Sequence, residues 1–188
     1  MKDVYISGFT DRISPEAPVP IVRVTKTEFK AGGAANVAVN LATLGLQVTL
    51  LSMVGDDKSA REIQQLLSSH NINCIFIKSP NLTTVQKHRI ISQHHQILRL
   101  DYESQNPKLN FQKKDYSELL KKFEKEAKSD TYSAAIFSDY KKGVLEHCKR
   151  LVKSAKKHKI PVFVDPKGDE FAIYEGANFL KPNIKEFE

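Results

Sequence analysis

Ala31-Gly32-Gly33-Ala34-Ala35-Asn36 joins an extended segment, residues 19–30, to the amphipathic run Val37-Ala38-Val39-Asn40-Leu41-Ala42-Thr43-Leu44-Gly45. A glycine pair at a helix start lets backbone N–H groups approach a ligand closely, and a helix N-terminus favours electron-rich oxygens. Asn36, in the first turn, offers both a donor and an acceptor to a hydroxylated molecule. Two readings stand side by side here. One is a binding turn suited to a sugar, which points to a small-molecule enzyme. The other is a tight turn that packs a helix against a strand.

Outward from this junction the pattern alternates strands and helices. Residues 48–54 read as a buried strand ended by Gly55-Asp56, and Asp57 caps a helix that carries Ala60, Ile63, Leu66 and Leu67. Residues 72–77 form the next strand. Residues 83–92 and 96–101 read as a hairpin, with His94-His95 as its turn rather than a metal site. A long helix is expected over 111–128, with Tyr116, Leu119, Leu120 and Phe123 on its apolar stripe. A strand over 132–137, a helix over 144–157 and a strand over 160–164 follow, then Phe179-Leu180 and a helix start at Ile184 that Glu188 leaves unfinished. Such alternation predicts an α/β fold with a mainly parallel sheet covered on both faces. Asp56, Asp139, Asp165, Lys167 and Asn183 follow strand ends, where open α/β sheets bind ligands. The early extended segment and the hairpin break the repeat and read as a small β flap, from about 4–30 and 83–101.

Composition bounds the class. The chain has 188 residues, 40% of them hydrophobic, enough for one domain with a real core. No apolar run reaches membrane-spanning length, and Met1-Lys2-Asp3-Val4 does not read as a signal peptide. Cys74 and Cys148 stand far apart without metal-ligand neighbours, so a reduced, cytoplasmic protein is expected. The net charge of +7 resides largely in Lys121-Lys122, Lys141-Lys142 and residues 149–159. No nucleic-acid motif or aromatic platform accompanies these lysines, so they read as solvated faces or as a positive field for an anionic substrate. P-loop, dinucleotide-fold, zinc-protease and serine-elbow patterns are all absent from the sequence.

The spacing of Ala31-Gly32-Gly33-Ala34-Ala35-Asn36 to Ala38, Gly45 and Gly55 resembles the first signature of the ribokinase-like (phosphofructokinase-B) sugar kinases. The resemblance narrows in five further blocks. These are Arg12-Ile13-Ser14-Pro15-Glu16-Ala17-Pro18-Val19-Pro20, Ile97-Leu98-Arg99-Leu100-Asp101, Ser138-Asp139-Tyr140-Lys141-Lys142-Gly143, Asp165-Pro166-Lys167-Gly168 and Pro182-Asn183-Ile184-Lys185-Glu186-Phe187-Glu188. In order along the chain, they look like the kinase part of the heptose kinase/adenylyltransferases. The resemblance implies a ribokinase-like three-layer sandwich with a β flap, and transfer of the ATP γ-phosphate to the anomeric hydroxyl of D-glycero-β-D-manno-heptose 7-phosphate. That product serves lipopolysaccharide core synthesis.

The resemblance also implies roles. Asp3 matches the acidic residue that holds sugar hydroxyls, and Gly32, Gly33 and Asn36 match the sugar-binding turn. Asp139 is a further substrate candidate or a loop cap, Lys167 a further substrate candidate or a surface lysine, and Arg12 and Arg89 are phosphate candidates or flap salt bridges. Asn183, Ile184, Lys185 and Glu186 match an N-x-x-E element that organises Mg-ATP, with Glu186 toward the Mg²⁺; the same spacing suits a capping box. A small-molecule sugar phosphate, no nucleic acid, no membrane and a flap-mediated homodimer are the implied partners. Related kinases carry a later G-A-G-D segment supplying an anion hole and the base, and it does not occur in this sequence. A partial kinase domain over 1–188, truncated at both ends and lacking a first strand before Met1, is therefore expected, with little activity of its own.

Overall fold

The computed structural model describes residues 1–104, 111–168 and 170–187, so Glu188 of the last resemblance block lies outside the described residues. β1 (Lys2–Ile13) and β2 (Pro20–Ala31) form a long antiparallel hairpin. After it come α1 (Ala34–Thr43), β3 (Thr49–Gly55), α2 (Lys58–Ser69) and β4 (Asn73–Ser79). β5 (Gln86–Ser92) and β6 (His95–Tyr102) make a second hairpin. α3 (Lys113–Ala127), β7 (Ala135–Ser138), α4 (Cys148–Lys157), β8 (Val162–Asp165), a 3₁₀ turn (Phe171–Tyr174), β9 (Phe179–Leu180) and α5 (Ile184–Phe187) complete the order.

The strands fall into three sheets among the described residues. β2-β1-β5-β6 is one four-stranded sheet, in which β1 and β5 run parallel. β3 pairs with β4, β7 with β8, and β8 in turn with β9, all in parallel. Side-chain alternation along β3 explains the layers. Leu50 packs into the cluster of Ala35, Ala38, Ile63 and Leu67 from α1 and α2, whereas Leu51 and Met53 pack into the cluster of Leu119, Phe137 and Val152. Successive strand residues face opposite sides, so β3 is covered by helices on both faces. The expected α/β sandwich with mainly parallel sheets is the fold.

Several boundaries differ from the sequence reading, each for a local reason. α3 starts at Lys113 rather than at 111, because Gln112 and Asp115 form the capping box that sets its first turn. The helix expected from 144 starts at Cys148, after turns closed by bonds such as Glu146 N to Gly143 O at 3.2 Å. β7 starts at Ala135 rather than at 132, since Tyr132 instead places its hydroxyl 3.0 Å from Thr49 Oγ1. In the second hairpin Gln93 and His94 take positive φ and form the turn, while His95 pairs with Ser92 inside the ladder.

Asp57 shows how one side chain joins two elements. Its Oδ1 accepts from Ala60 N at 2.8 Å and caps α2, and its Oδ2 accepts from Thr84 N at 2.8 Å ahead of β5. Burial opposes ionisation of this carboxyl, but the hydrogen bonds from Thr84 and Ala60 prevail and hold its pKa below the ordinary 3.8. Asp57→Ala is expected to cost about 2 kcal/mol, combining a lost cap with a lost charged hydrogen bond. That corresponds to a fall in thermal midpoint of roughly 4–8 °C. A depressed folded-state pKa contributes stability above the unfolded value and loses it as pH falls through the folded one. The gap between wild type and variant, followed by calorimetry, should therefore close as pH falls below 3.8. A gap of constant size down to full protonation would refute the ionic part of this account.

Candidate functional site

The helix start is the corner about which the site is built. Gly33 has φ 57° and ψ −134°, a region that residues with a Cβ enter only under strain. Gly32 N donates to Met1 O at 3.1 Å, which holds the turn against the beginning of β1. Asp3 comes from β1, and its carboxylate lies so close to Gly32 that a Cβ there would sit 2.8 Å from both Cγ and Oδ2. Only a glycine allows this approach.

Arg89 of β5 reaches the same carboxylate. Its Nη1 lies 3.1 Å from Asp3 Oδ1, with the side chains 22% and 15% exposed, and its guanidinium sits over the Tyr5 ring. The contact is an ion pair without hydrogen-bond alignment, so Asp3 Oδ1 and Arg89 Nη1 are both buried with no hydrogen bond among the described residues. Buried polar atoms left in this state favour a hydroxyl or an anionic oxygen that could satisfy them. Asn36 is exposed one turn into α1, and its backbone N bonds to Gly33 O at 2.9 Å. Arg12 lies far from this corner, roughly 30 Å along β1 from Asp3 at the usual rise per residue.

A second group gathers beyond the ends of β7 and β8. Asp139 is buried, and both its oxygens have protein partners: Oδ1 accepts from Lys141 N at 2.7 Å and Oδ2 from the Tyr174 hydroxyl at 2.6 Å. Here Asp139 serves as a loop cap, the other role that its position after a strand allows. Burial and the bond to Asp139 push the Tyr174 hydroxyl pKa well up, so it stays protonated and ties the two strand-end loops together. Cys148 lies under the same loop, fully buried, with its thiol pushed up to about 12 by burial and by Asp139, which rules it out as a nucleophile at neutral pH.

Lys167 Nζ donates to Glu186 Oε1 at 2.9 Å. Glu186 Oε2 accepts from Asn183 N at 3.0 Å, and Glu186 N donates to Asn183 Oδ1 at 3.1 Å, a reciprocal capping box. The Asn183 bond and then Lys167 hold the Glu186 carboxyl below its usual range, while Glu186 raises the Lys167 ammonium. Both Glu186 oxygens are thus engaged. Among the described residues no group of three His, Cys, Asp or Glu is placed to hold a metal ion. Each Glu186 oxygen accepts one of these bonds, which leaves its remaining lone pairs for any hydrated cation. Ile184 and Lys185 are exposed on the short helix α5.

The two groups meet only in part. Gly33, Asp139 and Tyr140 line one cavity, and the Tyr140 ring lies 3.4 Å from where a Gly33 Cβ would be. Lys167, Asn183 and Glu186 are not part of that lining. Sequence reasoning missed Tyr140 as a neighbour of the glycine turn, although the residue lies within a quoted block. Tyr174 was missed entirely, because a single tyrosine in a 3₁₀ turn carries no periodic signal.

Comparison with known proteins agrees with this geometry. The chain matches the pfkB family carbohydrate kinases over residues 2–188. It is 46% identical over 188 residues to "Bifunctional protein HldE" of Histophilus somni and 45% identical to HldE of Haemophilus influenzae strain PittEE. In both cases all of this chain matches only 38% of the relative, so the chain spans well under half the length of these curated proteins. Among solved structures, Escherichia coli phosphofructokinase-2 in complex with fructose-6-phosphate superposes with a TM-score of 0.70 at 21% identity, over 98% of this chain and 59% of that one. A possible 1-phosphofructokinase from Thermotoga maritima gives 0.69 at 20% identity, over 97% and 58%. Among the described residues no helix is long and apolar enough to cross a membrane. The glycine turn with its buried carboxylate, the parallel α/β layers and the match along the whole chain place this protein in the pfkB family of carbohydrate kinases.

Proposed function

We propose that these 188 residues form the sugar-holding part of a kinase domain that phosphorylates the anomeric hydroxyl of D-glycero-β-D-manno-heptose 7-phosphate. The observation that carries the reading is the corner of Asp3, Arg89 and Gly32, with two buried polar atoms lacking hydrogen bonds, in a chain 46% identical to HldE. Asp3 would accept from sugar hydroxyls, and the bare backbone at Gly32 and Gly33 lets the ring approach. Asn36 adds a donor and an acceptor, and Arg89 supplies positive charge toward the phosphate. Asp139 acts on the substrate only indirectly, by holding the loop that presents Tyr140 to the glycine turn.

ATP is the phosphoryl donor in this reading, with Mg²⁺ as its counter-ion. Asn183, Ile184, Lys185 and Glu186 form the nucleotide-side element, with Lys167 beside it as a cation for phosphate oxygens. Because Glu186 is engaged on both oxygens, its part toward the metal would run through bound water. A kinase that draws on ATP belongs to the cytoplasm. The flap also exposes Phe9, Val24, Ile97 and Leu98, which supports a homodimer through that sheet.

A second acceptor is favoured by one observation, the likeness to a phosphofructokinase-2 solved with fructose-6-phosphate. A thermal-shift panel separates the two. A ligand at ten times its Kd stabilises by about 1.4 kcal/mol, or roughly 3–6 °C for a chain of this size. Heptose 7-phosphate should give this shift at a concentration at least tenfold lower than fructose 6-phosphate needs. The reverse order would move the assignment to a hexose phosphate, and no shift with any sugar phosphate would overturn the sugar-side reading.

A further inference from the structure

Six residues other than glycine take positive φ among the described residues. Five have a local reason. Asn71, Asp130 and Lys159 lie just past the ends of α2, α3 and α4, and Gln93 and His94 form the hairpin turn between β5 and β6. Lys141 is the sixth, with φ 51°, in the loop that leaves β7. No helix end or hairpin calls for a left-handed residue there, and a lysine enters that region only under strain.

The surrounding structure imposes this conformation. Asp139 is buried; its Oδ1 accepts from Lys141 N at 2.7 Å while its Oδ2 accepts from the Tyr174 hydroxyl at 2.6 Å. The Lys141 side chain then runs over Gly168, so closely that a Cβ there would overlap Nζ and Cε. Gly168 has φ 86° and follows Lys167 directly. Two lysines thus stand at one bare stretch of backbone. Lys167 is engaged by Glu186 at 2.9 Å. Lys141 is exposed, and no hydrogen bond or ion pair engages its ammonium among the described residues.

Tyr140, the preceding residue, sets its ring against Gly33 of the glycine turn. The Lys167 ammonium is raised by Glu186 above all, and by Asp165 and Tyr140 as well, so Tyr140 neighbours both groups. Lys141 therefore stands at the junction of the sugar-side corner and the Lys167–Glu186 pair. A residue needed only to shape this turn would be glycine or asparagine, which reach positive φ at lower cost. A lysine adds a long cationic arm, and strain of this kind gathers at ligand clamps.

We propose that Lys141 is a phosphate-binding residue: its ammonium, beside that of Lys167, takes the phosphoryl oxygens of a polyphosphate laid over Gly168. This role rests on the reading of Lys167 and residues 183–186 as the nucleotide side of a kinase domain, and adds to it a residue from the neighbouring strand-end loop. Phosphoryl oxygens accept several charge-assisted bonds at once, and an ammonium offers three donors. The phosphate carried by a sugar offers the same oxygens, so the two sources are tested apart.

The test is calorimetry of inorganic tripolyphosphate binding to the 188-residue chain at about 0.15 M salt, where diffuse attraction to this basic chain is screened. Tripolyphosphate has no base, so the result does not depend on an adenine pocket. Lys141→Met keeps the side-chain length and loses the charge; it should weaken binding at least about tenfold, the scale of one charged hydrogen bond. Lys141→Arg should restore most of the affinity, and Lys153→Met, on the exposed face of α4, should leave it unchanged. Lys141→Gly loses the ammonium but relieves the strained φ, so its thermal midpoint should hold or rise, by up to about 4 °C, while binding weakens. A lysine with a structural role would show the opposite sign. Heptose 7-phosphate affinity should be the same in wild type and Lys141→Met. Equal weakening by Lys153→Met, a lower midpoint in Lys141→Gly, no binding of tripolyphosphate by the wild type, or a loss confined to heptose 7-phosphate would overturn the proposal. Loss of binding in Lys167→Met with none in Lys141→Met would overturn it while leaving the nucleotide-side reading in place. Tripolyphosphate binding that depends on Lys141, in a chain that binds no sugar phosphate, would support this site and overturn the sugar-side reading instead.

Discussion

Purified residues 1–188, given heptose 7-phosphate and Mg-ATP, should form ADP at least about 10³-fold more slowly than the 1–100 s⁻¹ usual for kinases. Phosphoryl transfer depends on positioning and on stabilising the charge of the transferring group. Loss of an anion-hole donor costs about 10²–10³ in rate, and loss of a general base about 10²–10⁴. The G-A-G-D segment expected to supply both functions does not occur in this sequence. Three acidic candidates of the site are committed elsewhere. Asp3 is paired with Arg89, Asp139 with Lys141 N and Tyr174, and Glu186 with Lys167 and Asn183 N. A coupled ADP assay checks the rate, and calorimetry with the sugar phosphate checks binding separately. Turnover near 1 s⁻¹ would mean that a base and an anion hole exist among these residues after all. Binding without turnover is the expected pair of results.

Gly32→Ala should weaken sugar-phosphate binding by about 10- to 100-fold, the scale of a lost hydrogen bond to a charged group. The new methyl would sit 2.8 Å from Asp3 Cγ and Oδ2, closer than atoms of this kind approach. Asp3 is short and mostly buried, with Arg89 on its other side, so the carboxylate has little room to retreat. Displacement of Asp3 is the expected outcome. Asp3→Asn separates the causes, because it keeps the shape and removes the charge; it should reproduce most of the affinity loss while leaving the turn intact. Gly33→Ala acts through the backbone instead. At φ 57° and ψ −134° a side chain costs about 1–3 kcal/mol, so that variant should lose stability more than affinity. Unchanged affinity in Gly32→Ala and Asp3→Asn together would remove Asp3 from the sugar site.

Much of the fold was legible because its signals are local. Asp57 ahead of Ala60, Ile63 and Leu67 announces both the cap and the buried face of α2, and each lies where that pattern put it. The mostly apolar run over residues 48–54 announces a buried strand, and β3 packs against helices on both faces. Boundaries were less legible wherever a long-range contact ended an element. Tyr132 reaches back to Thr49, which shortens β7, and the turn after Gly143 delays α4. Tyr174 was illegible, since its significance lies in a hydroxyl aimed at Asp139, thirty-five positions earlier in the chain.

By itself the sequence determined the α/β class, the family signature at Gly32-Gly33-Ala34-Ala35-Asn36 and the Asp57 cap of α2. All of these rest on backbone preferences and spacings within a few residues. Only the tertiary structure decided what the candidate residues do. It brought Asp3 against Gly32 and paired it with Arg89, and it turned Asp139 into a loop cap. It also engaged both oxygens of Glu186 and set β3 and β7 along one cavity. The physical reason is common to all four. A carboxylate, or a row of peptide groups, takes its role from whichever donors, acceptors and apolar walls surround it, and here most of those come from distant parts of the chain.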